Sequence, residues 1–312
     1  MRIVSLLPST TEIVCSLGME EHLVGRSHEC DYPASITSLP VLTKPKYITN
    51  GKSRDIDKQV KSLLEKGLSV YEVDAELLAE LKPDVILTQD HCEVCAVSLP
   101  EVEAAVKNWT GNQKTQVVSV SPTDLNGIYQ SIHKIGEALQ KKLKAQNLVE
   151  EMKERLDIIR STVSGKVRKK VVSIEWIDPL MTAGNWIPEL VEIAGGDHLL
   201  AEPGEHSPWI KWKDVQEADP DLIVIMPCGY NFEQTAEELP LLTSRDEWSE
   251  LKAVKEKNVY LLEGNQYFNR PGPRIFESTR ILAEILHPDH FKPTLKETGW
   301  KRLTGEAESV KG

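Results

Sequence analysis

No stretch of this sequence stays apolar for long enough to cross a membrane. The longest apolar runs are strand-length, as from Leu222 to Met226, whereas a membrane helix needs about 20 residues. Basic residues are also scarce, since 37 Lys and Arg stand against 48 Asp and Glu, which gives a net charge of −11. Nucleic-acid phosphates are bound by a basic face. We therefore expect a soluble protein that has neither a nucleic acid nor a membrane as its partner.

Common enzyme motifs are missing as well. The sequence has no glycine-rich phosphate loop and no Gly-x-Ser-x-Gly nucleophile motif. A Cys-x-x-Cys pair, Cys92 and Cys95, leaves thiol chemistry open as an alternative. We expect a binding protein and not an enzyme.

The cysteines are few, and their number is odd. A disulfide framework would use an even number in a short chain, so we expect a reducing compartment for these five residues. The apolar run after Met1 ends at Pro8, which is short for a secretory signal peptide. The expectation is a cytoplasmic location, and the alternative is a periplasmic or exported protein whose signal peptide was trimmed. The cysteines are Cys15, Cys30, Cys92, Cys95 and Cys228.

Short apolar runs alternate with helical patterns along the chain, which is typical of α/β proteins with mainly parallel sheets. We predict strands at 3–7, 23–26, 69–72, 84–88 and 116–120 in the first half, and at 169–176, 221–226 and 258–262 in the second. Helices are predicted at 9–17, 55–66, 75–81, 99–107 and 187–194.

Two pairs of similar segments within the sequence indicate a pair of similar lobes. Residues 80–87 and 217–224 both run from the end of a helix through Pro-Asp into an apolar strand. Residues 11–18 and 188–195 both form a short helix that closes on glycine. We therefore expect two Rossmann-like lobes, at 1–123 and 165–290.

Residues 124–164 lie between the lobes and contain no proline. Apolar residues recur there every three or four positions, which predicts helices. A single helix would be about 60 Å long, so we predict a break near 142–146, with the second helix joining the lobes. Residues 291–312 form a polar tail outside the repeat, with Trp300 as its candidate anchor.

The chain resembles the class III periplasmic binding proteins of ABC importers, in which a helical backbone joins two lobes. Residues 2–12, 23–27, 81–86 and 218–223 carry the resemblance. Residues 27–33 and 89–97 are most similar to the branch labelled cobalamin-binding. The resemblance implies a substrate-binding protein that closes two lobes over a corrinoid, which would be its ligand and cofactor.

The resemblance also implies an acidic residue on each lobe that meets arginines of an ABC permease. Glu76 matches the position in the first lobe, but the corresponding residue in the second lobe is Lys213, with Asp214 beside it. Because a reversed charge repels where attraction is needed, the expected permease partner is doubtful. We therefore favour a binder without a permease.

Ligands of parallel sheets bind beyond the carboxyl ends of the strands. In the first lobe, this rule selects the loops that follow three predicted strands. They carry the predicted ligand-binding residues Pro8, Ser9, Thr10, His28, Glu29, Cys30, Asp90, His91 and Cys92. The imidazoles and thiols would suit a metal such as zinc or iron, a haem or siderophore iron, or a corrinoid cobalt, with His28, Cys30, His91, Cys92 and Cys95 as candidate ligands.

The corresponding loops of the second lobe carry aromatic residues. Indole rings offer flat apolar faces with one hydrogen-bond donor, which suits a large flat macrocycle. We expect this indole-rich rim to face the His/Cys rim of the first lobe across a shared gap. The predicted ligand-binding residues here are Trp176, Trp186, Trp209, Tyr230, Tyr267 and Arg270.

Overall fold

A computed structural model describes residues 1–66, 69–89, 102–103, 106 and 115–303. The chain divides into two compact units. The first contains residues 1–153 and 271–273, and the second contains residues 154–270 and those from 274 onward. Among the helices described, none is both long and apolar enough to span a membrane.

The first unit is built on a four-stranded parallel sheet. Its strands are β1 (Ile3–Ser5), β2 (Leu23–Arg26), β5 (Val85–Gln89) and β6 (Gln116–Val120), in the order β2-β1-β5-β6. The register places Val4 opposite Ile86 and Gly25. β1 and β5 are buried along their whole length because they are the central strands. The carboxyl ends of all four strands lie at the same edge of the sheet.

A separate two-stranded sheet contains one of the predicted strands. The strand predicted at 69–72 is β4 (Tyr71–Val73), which pairs antiparallel with β3 (Thr43–Pro45) and lies outside the parallel sheet. β3 ends at Pro45, which has no backbone N–H and fits only an edge position. The sequence pattern cannot distinguish a strand of the main sheet from one of such a side sheet.

Three helices of the first unit follow the predicted pattern. They are α1 (Pro8–Ser16), α2 (Ser53–Glu65) and α3 (Ala75–Leu81). The carboxylate of Asp74 caps α3 by accepting a hydrogen bond from the Leu77 N–H at 2.9 Å. Gly18, just after α1, has a φ of +68°, which glycine adopts without strain. Of the predicted helix 99–107, only residues 102, 103 and 106 belong to the described part of the chain.

The segment between the lobes contains two helices, α4 (Leu125–Ala138) and α5 (Lys142–Val163). A break between two helices is confirmed, but it lies at 139–141, and the predicted position 142–146 is already helical in α5. A Cβ at Gly136 would lie 2.4 Å from the Cβ of Ala145, so the turn brings the two helices too close for any larger residue. The boundary between the two units falls within α5, after Lys153.

The second unit contains a six-stranded sheet whose central strands are parallel. Its strands are β7 (Lys169–Trp176), β8 (Met181–Thr182), β9 (Gly196–His198), β10 (Leu222–Ile225), β11 (Val259–Leu262) and β12 (Trp300–Arg302). The order is β12-β11-β10-β7-β8, and β9 also pairs with β7. All four residues of β10 are fully buried, as expected for the middle of a sheet covered on both faces.

The helices of the second unit are short except for the last one. They are α6 (Ile187–Ile193), α7 (Trp212–Ala218), α8 (Phe232–Glu238), α9 (Pro240–Thr243), α10 (Lys252–Lys255) and α11 (Ile275–Leu286). A π-helical turn at Gly264–Phe268 follows β11. The similar segments 80–87 and 217–224 have the same local structure, since α3 precedes β5 as α7 precedes β10.

Residues 291–303 belong to the second unit and contribute to its sheet. β12 pairs antiparallel with β11, with Trp300 opposite Leu262. The carboxylate of Glu284 on α11 accepts hydrogen bonds from the indole N–H of Trp300 at 3.0 Å and from the N–H and hydroxyl of Thr294 at 3.0 and 2.7 Å. Trp300 is therefore an anchor, as predicted, and Glu284 is its counterpart.

Candidate functional site

The loop after β1 is held from inside by a set of buried hydroxyl groups. Ser5 and Thr10 share a hydrogen bond of 2.7 Å, and the hydroxyl of Thr11 donates to that of Ser5 at 2.8 Å. Ser9 and Thr10, two of the predicted ligand-binding residues, are buried, while Pro8 at the start of α1 is half-buried. Thr10 therefore shapes the loop through its contacts with Ser5 and Leu7.

Cys30 belongs to the same buried set. Its side chain is 0% exposed, and its Sγ lies 3.1 Å from the hydroxyl oxygen of Thr11. The thiol thus contacts the underside of the loop. Cys15 is less buried, but burial, together with nearby Glu20, raises the pKa of its thiol to about 12. A thiol with so high a pKa is protonated at neutral pH and is a poor nucleophile.

Arg26 holds the loop that follows β2. Its guanidinium donates hydrogen bonds to the carbonyls of Ser27, Cys30 and Thr37 at 3.1, 2.9 and 2.8 Å. These three bonds fix the path of the chain on both sides of His28 and Glu29. No sequence pattern pointed to this role of Arg26.

His28 lies on this loop with its imidazole partly exposed. Its Nδ1 lies 2.7 Å from the hydroxyl oxygen of Thr43 on β3, and its ring centroid lies 5.4 Å from that of Tyr71 on β4. Burial, assisted by the positive charge of Arg26, lowers the pKa of His28 to about 4. The imidazole is therefore neutral at physiological pH.

Two tyrosines that the sequence pattern did not point to lie near this loop, Tyr71 beside His28 and Tyr47 beside Tyr71. The hydroxyl of Tyr71 donates to Glu29 Oε1 at 3.3 Å and lies 3.3 Å from the hydroxyl of Tyr47. The two-stranded sheet brings these residues to the carboxyl end of β2. We call this group the His28 cluster: His28, Glu29, Thr43, Tyr47 and Tyr71.

The remaining candidates of the first lobe, Asp90, His91, Cys92 and Cys95, lie outside the residues that the structure describes. Within the described part, no group of three or more His, Cys, Asp or Glu residues is arranged to hold a metal ion. Of the five predicted metal ligands, the structure thus places only His28 and Cys30. The imidazole of His28 is accessible, and the thiol of Cys30 is buried.

In the second unit, Trp176 and Tyr230 form an aromatic pair. Their ring centroids are 5.4 Å apart and their planes are inclined by 61°, an edge-to-face contact. Trp176 is the last residue of β7, and Tyr230 follows β10, so both lie at the carboxyl end of the sheet. The indole Nε1 of Trp176 is buried and has no hydrogen-bond acceptor among the described residues.

The other two candidate tryptophans have different environments. Trp186 is buried, and its indole N–H donates to the carbonyl of Phe268 at 3.1 Å, which ties the start of α6 to the π-helical turn. Trp209 is 53% exposed and forms an isolated β-bridge with Met181. Trp186 therefore has a structural contact, whereas Trp209 presents its ring at the surface.

Tyr267 and Arg270 lie in and just after the π-helical turn. Arg270 is buried, and its guanidinium donates to the side-chain carbonyl of Asn265 at 3.3 Å. Tyr267 is half-buried, with the guanidinium of Arg274 5.3 Å from its ring centroid. Because Arg270 is buried, its guanidinium can bind only groups that reach the interior of this turn.

Comparison with known proteins identifies the family. The family model described as "Periplasmic binding protein" matches residues 3–265. The chain belongs to this family. The resemblance of the sequence to class III periplasmic binding proteins is confirmed, and so is the fold of two α/β lobes.

Curated relatives cover most of this chain. An uncharacterized ABC transporter substrate-binding lipoprotein, YvrC of Bacillus subtilis (strain 168), is 28% identical over 299 residues, which are 93% of this chain and 81% of that protein. A vitamin B12-binding protein of Yersinia pestis (strain Pestoides F) is 20% identical over 298 residues, which are 91% of this chain and 85% of that protein.

Solved structures share the fold. A periplasmic heme-binding protein from Pseudomonas aeruginosa has a TM-score of 0.68 and 19% identity, with coverage of 97% of this chain and 95% of that one. At this identity the similarity establishes the fold alone.

The residues expected to meet a permease are both exposed. Glu76 lies in the first turn of α3, and Lys213 lies at the corresponding position of α7. The ammonium group of Lys213 is 3.2 Å from Glu217 Oε1, and Asp214 caps α7 through the Lys211 N–H at 2.7 Å. The acidic groups near Lys213 therefore offset its charge locally.

Proposed function

We propose that this protein is the substrate-binding protein of an ABC transporter and that it binds a metal-centred tetrapyrrole, in the first place a cobalamin-like corrinoid. Its family and its curated relatives support the transporter assignment over a binder that works without a permease. The protein would bind and release its ligand without changing it chemically. Whether it does so in the cytoplasm or outside it stays a prediction, which fractionation of source cells can test.

The observation that carries the ligand class is the pair Trp176 and Tyr230. A buried N–H without an acceptor lowers stability by about 1–3 kcal/mol, so the indole N–H of Trp176 indicates a function other than stability. Corrinoids carry amide carbonyls around a flat ring, and haem carries carboxylates. Either periphery would supply the acceptor that Trp176 lacks, while the ring itself packs against aromatic faces.

Haem is the second candidate, and His28 favours it. A neutral imidazole is a good ligand of ferric iron as well as of cobalt. A corrinoid remains first because residues 27–33 and 89–97 resemble the cobalamin-binding branch. Zinc bound by the His/Cys residues of the first lobe is a further proposal, which metal analysis of protein purified without chelator would test.

A ligand screen tests the proposal directly. Aquacobalamin, diaquocobinamide, ferric haem and a ferric siderophore are each added in excess, and the thermal unfolding midpoint and absorbance spectrum are recorded. A ligand present at about 100 times its Kd adds about 2.7 kcal/mol to stability, so we expect a rise of about 5 °C or more. If neither tetrapyrrole moves the midpoint or changes its spectrum, the proposal is wrong.

Two substitutions of Trp176 separate its ring from its N–H group. Trp176→Phe keeps an aromatic face but removes the donor, and we expect the tetrapyrrole Kd to rise about fivefold, the value of one ordinary hydrogen bond. Trp176→Ala removes the ring as well, and a loss of about 100-fold is expected. Titration of the absorbance change gives both values, and the unliganded midpoints show whether each variant is folded. If the wild type and both variants bind the tetrapyrrole with equal affinity, Trp176 does not contact the ligand.

A further inference from the structure

The hydrogen bonds around Thr43 determine which ring nitrogen of His28 carries the proton. The Thr43 hydroxyl donates to Ser27 Oγ at 3.1 Å, and its oxygen accepts the backbone N–H of His28 at 3.1 Å. A hydroxyl has one hydrogen, so Thr43 has none left for the imidazole. The 2.7 Å contact with Nδ1 must then be an Nδ1–H donated to Thr43, which leaves the lone pair of His28 on Nε2.

This arrangement is the one that metal-binding histidines use. They donate one ring N–H to a fixed acceptor, which sets the tautomer and the ring orientation, and they present the other nitrogen to the metal. Three contacts orient the imidazole ring of His28: the hydrogen bond to Thr43, the ring of Tyr71, and the loop that Arg26 holds.

We propose that Nε2 of His28 is an axial ligand of the metal at the centre of the bound tetrapyrrole. The inference rests on the proposed function and adds a requirement to it. The ligand must have an axial position that an imidazole can occupy, as in diaquocobinamide, aquacobalamin or ferric haem. A corrinoid whose two axial positions are blocked by cyanide does not meet this requirement.

The surroundings of Nε2 agree with coordination of a cationic metal. The carboxylate oxygen Oε1 of Glu29 lies 3.9 Å from it, beyond hydrogen-bonding distance. Tyr71 donates to that same oxygen and so fixes the carboxylate beside the imidazole. A carboxylate at this distance attracts the positive charge of Co(III) or Fe(III) without occupying the lone pair of Nε2.

Cobinamide is the decisive probe because it lacks the nucleotide base of cobalamin. Any axial nitrogen ligand of its cobalt must therefore come from the protein. After reduction to Co(II), the electron paramagnetic resonance spectrum of the wild-type complex is expected to show splitting by one axial nitrogen. Isotopically labelled histidine should change that splitting, and His28→Ala should abolish it.

The affinities provide a second readout. We expect His28→Ala to weaken diaquocobinamide binding by about tenfold or more. The matched control is His22→Ala, which removes an exposed imidazole from the same unit. This control should keep the absorbance shift that axial ligation produces. Dicyanocobinamide should bind the wild type and His28→Ala equally. Equal binding also shows that the variant is folded.

Thr43 is a positioning residue in this proposal, and its variants test the tautomer argument. Thr43→Val removes the acceptor for Nδ1–H at nearly constant volume, and we expect diaquocobinamide affinity to fall by about 10–100-fold. Thr43→Ser restores the hydroxyl and should restore both the affinity and the nitrogen splitting. A purely structural role for Thr43 would weaken dicyanocobinamide to the same extent.

The outcomes separate this inference from the proposed function. If cobinamide binds without nitrogen splitting, or if His28→Ala keeps the splitting, the axial-ligand proposal is wrong and the binding function stands. If only ferric haem binds, its low-spin spectrum in the wild type and the loss of that spectrum in His28→Ala would support ligation and assign haem as the source of the metal. If no tetrapyrrole binds, both proposals fail together.

Discussion

Replacing Glu284 by alanine is expected to lower the free energy of unfolding of the second unit by about 3–5 kcal/mol, a loss typical of breaking a buried charged network. The carboxylate is buried on α11 and accepts hydrogen bonds at both oxygens. Oε1 accepts from Thr294 and from Arg280, and Oε2 accepts from the Leu295 N–H and the Trp300 indole. Alanine would leave these donors without acceptors and would release residues 294–302.

The pKa of Glu284 is consistent with this role. Burial raises the pKa of the carboxyl group, but the hydrogen bonds from Trp300, Thr294 and Leu295 outweigh burial, so that the net shift is downward. Glu284→Gln is therefore not a neutral replacement. An amide has only one oxygen, so its NH₂ group would face the donors on one side in either orientation.

Denaturant unfolding followed by tryptophan fluorescence measures the effect, because six of the seven tryptophans belong to the second unit. Glu237→Ala, which removes an exposed carboxylate on α8, is the matched control and should change the stability by less than about 0.5 kcal/mol. Limited proteolysis between residues 291 and 302 provides a local readout. An unchanged midpoint together with unchanged protease resistance for Glu284→Ala would show that the segment is held by other contacts.

The regular elements were predictable because they depend on local patterns. Strands at 23–26, 116–120 and 169–176 and a helix at 75–81 were predicted with the bounds that the structure gives. In each case an apolar run of strand length, or an apolar period of three to four residues, is bounded by a turn or a cap. The same reasoning predicted the break between α4 and α5 from length alone.

The role of residues 294–302 was not predictable beyond Trp300. Glu284 holds this segment through backbone N–H groups ten and eleven residues away and through an indole sixteen residues away. Backbone donors leave no trace in the sequence. A three-residue strand such as β12 is also too short to show an alternating pattern.

The candidate site shows a similar division. The rule about strand ends selected the loop containing His28, but it could not distinguish side chains that point inward from those that point outward. Thr10 and Cys30 point inward, where Ser5 and Thr11 bind them. Tyr71 was missed because it reaches His28 through a two-stranded sheet that pairs segments about 28 residues apart, and Tyr47 because it contacts Tyr71.

Acidification is expected to destabilise the second unit through His198, at a pH where most carboxylates are still ionised. His198 lies on β9, where its Nε2 is 2.5 Å from the hydroxyl of buried Ser173. Burial lowers its pKa from 6.5 to about 4, against an opposing effect of the Ala201 backbone. His287 on the neighbouring segment is lowered as well, first by burial and also by Lys169.

The direction of the effect follows from proton binding. Below pH 6.5 the unfolded chain takes up a proton on His198, while the folded protein stays neutral at this position until about pH 4. The stabilisation is therefore complete above pH 6.5 and decreases as the pH falls toward 4. For His198 alone we expect a loss of about 2 kcal/mol between pH 6.5 and about pH 5, from 1.36 kcal/mol per unit of pH.

Denaturant unfolding at a series of pH values measures this loss. His198→Gln removes the titrating group, so the slope of stability against pH between 6.5 and about 5 should become shallower, whatever the stability of the variant at neutral pH. His290→Gln, which replaces an exposed histidine of the same unit, should keep the steep slope of the wild type. If His198→Gln and the wild type lose stability in parallel, the proton is taken up elsewhere, and His287 becomes the next residue to replace.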